Sequence, residues 1–564
     1  MTMASRTASQ RANDRAIILN ADKGSRPDPH ETSEPKILNS LTEVSRRRVI
    51  INAASNYGKY GIALVVNLFL GAYIIRMMGK VEYSIWPLVS TVMGFIALIP
   101  VSIGAGTSRF LAHALGRKDI QEVEEITTSV FAALVVAAGV YALTVVIISI
   151  NFEHIFNIPA GAEGLGPWAM FLAGMAGVIR IPFSVFQGGL NAAQQYVAIN
   201  LREIGLLILR GILTVLAFTV SKPSLIWVAA IYLLIEGIST IVTWQIARRI
   251  VPWQKLRWKS FNWKTLWKVN NFSIWVLVGS VAVLLYWKTD NIIINKFLDP
   301  TLLTGYSIVI GILLQAYSLA SLGSSVLTPA ATIMHAQKDT PRIARMIYRA
   351  NRVTVLMGVP AIIFLMIFGS PVLVLYLGSS EYAAYGILFA ILGGGLILSL
   401  TQTAGKSVPQ AYGRNALNNC LSLLVAAANV GFSLYFVVVL DWGLIGVAAG
   451  TAIATVPYSI VFWPWYIAYL LEISWLEFVG RSILIPLAHC LPVCGLLVAF
   501  RLLGMGTSLP GLVAIGMAAA LVHIGYTLKW GLYPQDRQAA MAALKKAGRL
   551  CQAGAGTANR SDSI

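Results

Sequence analysis

Charge is scarce in this chain. Asp, Glu, Lys and Arg together make up 12% of its 564 residues, about half the share of an ordinary soluble domain. Most of the sequence therefore has nothing with which to face water. Acidic residues are the rarer sign, 24 against 43 basic. Cysteine is rare too. Cys420, Cys490, Cys494 and Cys551 are scattered; Cys490 and Cys494 share a helix face, but no second pair completes a metal site, and structural disulfides are not expected. His30, His113, His154, His335, His489 and His523 are dispersed along the chain. There is no HExxH, GxSxG, clustered Cys/His set or Asp-x-Asp pair. Gly405-Lys406-Ser407 resembles the end of a phosphate-binding loop, but Leu400 stands where the upstream glycine is required. The longest external connection, near 150–165, is too short to hold a catalytic domain. These absences exclude an ATPase. They leave no catalytic residue, metal or cofactor to assign, and no enzyme is expected.

What is present is apolar length. The chain is 57% hydrophobic, and about fourteen runs near twenty residues fill it, the length that spans a bilayer. The spans read as 52–75, 83–103, 127–149, 166–187, 200–220, 224–246, 271–295, 303–328, 353–376, 384–405, 416–439, 444–468, 481–501 and 508–530. An all-α polytopic membrane protein follows. The N-tail, even-numbered connections and C-tail hold about 34 Lys and Arg, the other connections about five, which places both termini in the cytoplasm. The formal charge of +19 lies beside apolar spans, so the anionic phospholipid leaflet is the expected partner and nucleic acid is not.

The first twelve spans read as two copies of six. RFLAHALGRKDIQEVEEI from Arg109 and PAATIMHAQKDTPRIARMI from Pro329 both carry a His, then a Lys-Asp pair, then a helix. Paired repeats are how many transporters build two bundles around a midplane site. The expected organisation is a cytoplasmic disordered or amphipathic tail (1–50), an N-terminal six-helix lobe (51–250), a C-terminal six-helix lobe (251–475), two further transmembrane helices (476–530) and a basic cytoplasmic tail (531–564). No apolar signal-peptide core occurs in 1–45. Residues 36–51 read as a short amphipathic helix. Met541, Leu544 and Cys551 fit either a second one or a solvated basic tail.

The informative residues are the charges that interrupt the spans. Each costs roughly 2.5–3.5 kcal/mol at a span centre unless paired or solvated in a cavity. They are Lys59, Arg180, Arg210, Glu236, Lys288 and Asp290. Arg210 and Glu236 lie at similar depth, about 15 Å into adjacent spans, and either neutralise each other or face a cavity. Lys59 and Arg180 have no acidic residue at matching depth nearby in sequence, which favours a cationic cavity wall. Lys288 and Asp290 are about 200° apart on their helix, so one faces the cavity and the other a neighbouring helix. Arg202 and Glu203 sit near a span end, where snorkelling accounts for them. Polar neutral residues such as Asn56, Gln187, Asn191, Gln315 and Asn429 suit sugar hydroxyls. For any single one of them, interhelical hydrogen bonds, worth about 0.6 kcal/mol on average, are the favoured account. The expected device is a central cavity between the bundles, cationic enough for a phosphate or acidic-sugar head group.

Four stretches resemble one family. They are NLFLGAYIIRMMGKVEYSIWPLVST from Asn67, GGLNAAQQYVAINLREI from Gly188, KTDNIIINKFLDPTLLTGYSI from Lys288 and NVGFSLYFVVVLDWGLIGVAAGTAIATV from Asn429. Their order and content are similar to the polysaccharide-transport family of the multidrug/oligosaccharidyl-lipid/polysaccharide exporter superfamily. The N-tail is longer than usual there, and Lys288 maps to no family role. The resemblance implies two six-helix lobes plus two helices, and a flippase for undecaprenyl-diphosphate-linked oligosaccharide, of O-antigen or exopolysaccharide type, in the bacterial inner membrane. Read from the charges and polar side chains within the spans, the candidate substrate-binding residues are Lys59, Arg180, Arg210, Lys288, Asn56 and Gln187, and the candidate ion-coupling carboxylates are Asp290 and Glu236. The polymerase and chain-length machinery of glycan assembly are further candidate partners. A cation-coupled multidrug exporter and a peptidoglycan-precursor flippase of the same superfamily are the alternatives.

Overall fold

The computed structural model describes residues 46–538 except Asn415, and Met541. The tail expectations for 1–45 and beyond Met541 lie outside the described residues. Among the described residues every regular element is helical. The spans are α1 (Arg46–Tyr83), α2 in two parts (Ile85–Ile96 and Leu98–Gly116), α3 (Ile120–Ile150), α4 (Leu165–Ala192), α5 (Tyr196–Val220), α6 (Leu225–Ile250) and α7 (Trp263–Phe297). They continue as α8 (Leu302–Ala336), α9 (Thr340–Leu377), α10 (Ser380–Leu400), α11 (Ala416–Val439), α12 (Gly443–Leu471), α13 (Trp475–Leu502) and α14 (Leu509–Gly531). Thirteen described helices are long and apolar enough to cross a bilayer, and α2, bent by 56°, makes fourteen. Pro100 follows that bend and has no N–H to donate back across it.

Large apolar side chains stand outward along these helices. Phe69 is 75% exposed, Val220 86% and Leu502 82%. In water such a surface would aggregate, whereas against lipid it is the solvated face. Small residues permit close packing inside. A Cβ on Gly450 of α12 would come within 2.4 Å of Ser433 Oγ on α11, so the Gly446–Gly450 stripe brings those helices together.

The two sixfold halves repeat in backbone detail. Lys118 and Lys338 both adopt positive φ, 58° and 57°. Asp119 and Asp339 then cap the next helix, accepting from Glu122 N at 2.9 Å and Arg342 N at 3.2 Å. Each cap stabilises its helix by about 1 kcal/mol. Gln194 and Gly413 turn α4 into α5 and α10 into α11 with the same left-handed geometry, φ 54° and 66°. These turns lie at one end of the bundle, hereafter the basic end. There the connection from α6 to α7 is tied to α3 by Arg257–Glu124 at 3.4 Å, and the first turns of α7 by Lys268–Glu122 at 3.6 Å.

At the far end the halves are cross-linked. Gly79 breaks α1 with φ 81° and ψ 172°, a conformation essentially reserved for glycine. Past that break Lys80 pairs with Glu381 at 2.7 Å, and its carbonyl accepts from Thr304 at 2.7 Å. Arg76 Nε donates to the Tyr376 carbonyl at 2.9 Å. Asn157 and Asn295 exchange hydrogen bonds of 2.7 to 3.0 Å.

Candidate functional site

A large polar cavity lies within the first half. It measures about 920 Å³ and is lined by α2 to α6 alone. Its walls therefore come from one bundle, where the sequence reading placed the cavity between the two. Hydrophobic periodicity identifies which face of each helix turns inward, but not which inward faces stand apart.

Polar residues reach the cavity at seven-residue spacing, which returns to nearly the same helix face. Arg180 and Gln187 do so on α4, Glu203 and Arg210 on α5, and Glu236 and Thr243 on α6. The charges are graded along the axis. Arg202 and Glu203 lie toward the basic end. Arg210, eight residues further along α5, lies about 12 Å deeper.

Four site residues expected from the sequence meet here: Arg180, Arg210, Gln187 and Glu236. Their pairing differs from expectation. Glu236 faces Arg180 at 3.8 Å rather than Arg210. Arg210 Nη2 instead donates to Asn67 Oδ1 at 3.1 Å. Among the described residues no carboxylate lies within ion-pair distance of Arg210. Lys59 is not without an acidic partner either: its Nζ meets Glu203 Oε2 at 3.0 Å. Sequence neighbours cannot reveal these partners, because Lys59 and Glu203 are 144 residues apart.

Arg202 and Glu203 do not snorkel outward. The Arg202 side chain is only 8% exposed. It donates to Gln187 Oε1 at 2.8 Å and to Thr243 Oγ1, and lies 3.4 Å from Glu203. Both residues line the cavity. They are the functional candidates that sequence reasoning passed over, and the signal was the spacing from Glu203 to Arg210. Trp86 and Tyr232 add an edge-to-face aromatic pair, 6.0 Å between ring centroids.

Asn56 is turned to its own lobe, where Asn200 donates to it at 2.7 Å, so interhelical bonding accounts for it. Lys288 approaches the wall, with Nζ 3.4 Å from Ser90 Oγ, and has no carboxylate partner among the described residues. Asp290 points the other way, as the 200° argument requires. It is 3% exposed. Tyr306 donates to its Oδ2, and Thr451 Oγ1 lies 2.9 Å from that oxygen and equally close to Asn429 Oδ1. Asp290 Oδ1 is buried with no hydrogen-bond partner among the described residues. Asp290 and Glu236 therefore occupy separate sites, one in each half.

The comparisons with known proteins agree with this architecture. The chain is 20% identical over 502 residues to the uncharacterized membrane protein EpsK of Bacillus subtilis, covering 88% of this chain and 98% of EpsK. It is 22% identical over 393 residues to the probable low-salt glycan biosynthesis flippase Agl15 of Haloferax volcanii, covering 68% of this chain and 77% of Agl15. Its fold matches the solved inward closed conformation of the lipid II flippase MurJ with a TM-score of 0.63 at 13% identity, over 85% of this chain and 99% of that one. The family described as polysaccharide biosynthesis protein matches residues 74–384, a stretch that takes in the Gly188 and Lys288 motifs. This multi-pass membrane chain belongs to the polysaccharide biosynthesis protein family.

Proposed function

We propose that the protein is a flippase for lipid-linked oligosaccharide, working by alternating access, with an undecaprenyl-diphosphate carrier in a bacterial inner membrane. The observation that carries this reading is the 920 Å³ cavity with three arginines, Arg180, Arg202 and Arg210, against two glutamates. A diphosphate needs several guanidinium forks in a water-filled site shielded by low-dielectric walls, and the glycan needs the amide and hydroxyl groups between them. The similarity to Agl15, a probable glycan biosynthesis flippase, and to MurJ, a lipid II flippase, supports the same class. Cationic drugs would meet the wrong sign of charge in this cavity.

In this proposal the basic end is cytoplasmic, with both termini there, and substrate enters from that side. The working unit is the two lobes, 51–250 and 251–475, with 476–530 appended. Asp290 is the coupling carboxylate, because it is buried in the half that does not hold the substrate. Glu236 serves the substrate cavity through Arg180. The polymerase and chain-length machinery of glycan assembly would receive the product.

The test is genetic and then direct. Deletion of the gene should trap lipid-linked oligosaccharide on the inner leaflet and abolish the surface glycan. Purified protein in liposomes should restore its transfer. Normal surface glycan in a clean deletion with no redundant gene would overturn the proposal.

A further inference from the structure

Beside Arg210 the cavity adjoins a smaller annex. It is a pocket of about 140 Å³ lined by α1, α2, α5 and α6, and it shares Trp86, Arg210 and Tyr232 with the main cavity. Its other chemistry-bearing walls are Asn67, Tyr83 and Thr214. Arg210 therefore stands at the neck between two spaces of very different size.

We infer that this annex is a subsite for a single monosaccharide ring carrying an anionic oxygen, which Arg210 holds at the neck. The proposal rests on the flippase reading of the main cavity. Three kinds of observation point to a sugar. The walls are aromatic on α2 and α6, where Trp86 and Tyr232 meet edge to face. A pyranose offers an apolar C–H face to such rings and a polar rim to their neighbours. The rim groups are present, because Asn67 and Thr214 flank Arg210 on α1 and α5. Apolar pockets with a few placed polar groups orient ligands in this way. An isoprenoid or acyl chain would leave the remaining N–H groups of the Arg210 guanidinium and of the Asn67 amide against hydrocarbon without acceptors, whereas the Thr214 hydroxyl already donates to the Arg210 carbonyl at 2.8 Å.

The second observation is size. A space of 140 Å³ beside one of 920 Å³ separates one ring from the rest of a repeat unit. The third is charge. Arg210 donates to the neutral Asn67 and has no carboxylate within ion-pair distance among the described residues. Arg180 and Arg202, by contrast, each have one. Arg210 is the guanidinium of this cavity left for an anion from the ligand. The anionic oxygen belongs either to a phosphate ester on the ring or to a carboxylate of the ring itself.

The test uses the full-length protein in lipid nanodiscs. The probes are inorganic pyrophosphate, glucose, glucose 1-phosphate and glucuronic acid, with affinities measured by titration calorimetry. Val228→Trp and Ile74→Phe fill the annex from α6 and α1, and neither residue lines the main cavity. Glucose 1-phosphate or glucuronic acid should bind at least tenfold more weakly to both variants, with pyrophosphate affinity unchanged. Loss of the phosphate ester alone identifies the phosphate as the anion held by Arg210, and loss of the uronic acid alone identifies the carboxylate. Unchanged binding of both sugars in both variants would overturn the inference, as would failure of both glucose 1-phosphate and glucuronic acid to bind the unmodified protein. Loss of pyrophosphate binding in both variants would overturn the separation of the two spaces. Failure of the unmodified protein to bind pyrophosphate, with the sugars still discriminated, would overturn the diphosphate reading and leave the annex standing.

Discussion

Arg180 and Glu236 face each other at 3.8 Å between α4 and α6, with half of the arginine side chain open to the cavity. That geometry is loose enough for an incoming anion to take the guanidinium from the carboxylate. In the proposed function Glu236 then competes with the substrate's phosphate for the Arg180 guanidinium. A half-open pair of this kind contributes little stability by itself.

Glu236→Gln is therefore expected to tighten pyrophosphate binding by threefold to tenfold, about 0.7–1.4 kcal/mol. Arg180→Ala is expected to weaken it by at least tenfold and to impair glycan export without loss of protein. Lys59→Ala should act less strongly, because Lys59 reaches the cavity only through Glu203. Calorimetric titration of the three variants checks the order. Wild-type affinity in Arg180→Ala would reject the cavity assignment.

Asp290 makes a different prediction, since burial rather than exposure defines it. Asp290→Asn keeps an acceptor for Tyr306 and Thr451, so the fold should survive. Transport should nevertheless fall at least tenfold and lose its dependence on an imposed ion gradient. Asp290→Leu leaves the Tyr306 hydroxyl buried and unpaired, which costs about 1–3 kcal/mol and should lower the unfolding temperature. Initial transport rates in liposomes, with and without a gradient, separate the two effects. Unaltered gradient dependence in Asp290→Asn would remove Asp290 from the coupling role.

These residues also show what the sequence could disclose. The spans and the repeat were legible, because bilayer thickness sets the first and the Lys-Asp turns mark the second. The unfavourable cost of charge in lipid singled out Arg180, Arg210 and Glu236, which line the cavity, and Asp290, which is buried in the second half. Helix rotation correctly separated Lys288 from Asp290. Pairing was not legible. Glu236 belongs to Arg180, 56 residues away, rather than to the arginine at matching depth on the adjoining span. Arg202 was hidden because its place near a span end fits snorkelling equally well, and only its bonds to Gln187 and Thr243 show it turned inward. The position of the cavity in one half depends on how whole helices stand apart, which no single helix encodes.

Close packing in the second half yields a stability prediction with an internal control. A methyl group on Gly450 would meet Ser433 Oγ at 2.4 Å and Ser433 N at 2.5 Å, whereas nothing lies within 4 Å of one on Gly237. Overpacking of this kind typically costs about 1–3 kcal/mol. Gly450→Ala should lower the thermal unfolding temperature in detergent and the yield of folded protein. Gly237→Ala should leave both within error. Equal behaviour of the two variants would contradict the α11–α12 contact.

The far-end cross-links carry the last prediction, which concerns movement between the halves. Asn157 and Asn295 are joined by three hydrogen bonds, reinforced by Arg76 on the Tyr376 carbonyl and by Lys80 on Glu381. All of these must break if the far end is to open. The asparagine exchange is the best shielded, since Asn295 is fully buried. At about 1 kcal/mol net for each bond, Asn295→Ala should shift a closed-to-open equilibrium by roughly 2 kcal/mol, close to thirtyfold. Spin labels at the exposed positions Glu163 and Asp299, in a background without the native cysteines, report the separation. The variant should show a longer distance population that the parent protein lacks, while Lys80→Ala, on an exposed pair, should shift it much less. Identical distance distributions in the Asn295→Ala variant and its parent would mean that the asparagine exchange does not hold the far end closed, leaving that task to the contacts of Arg76 and Lys80.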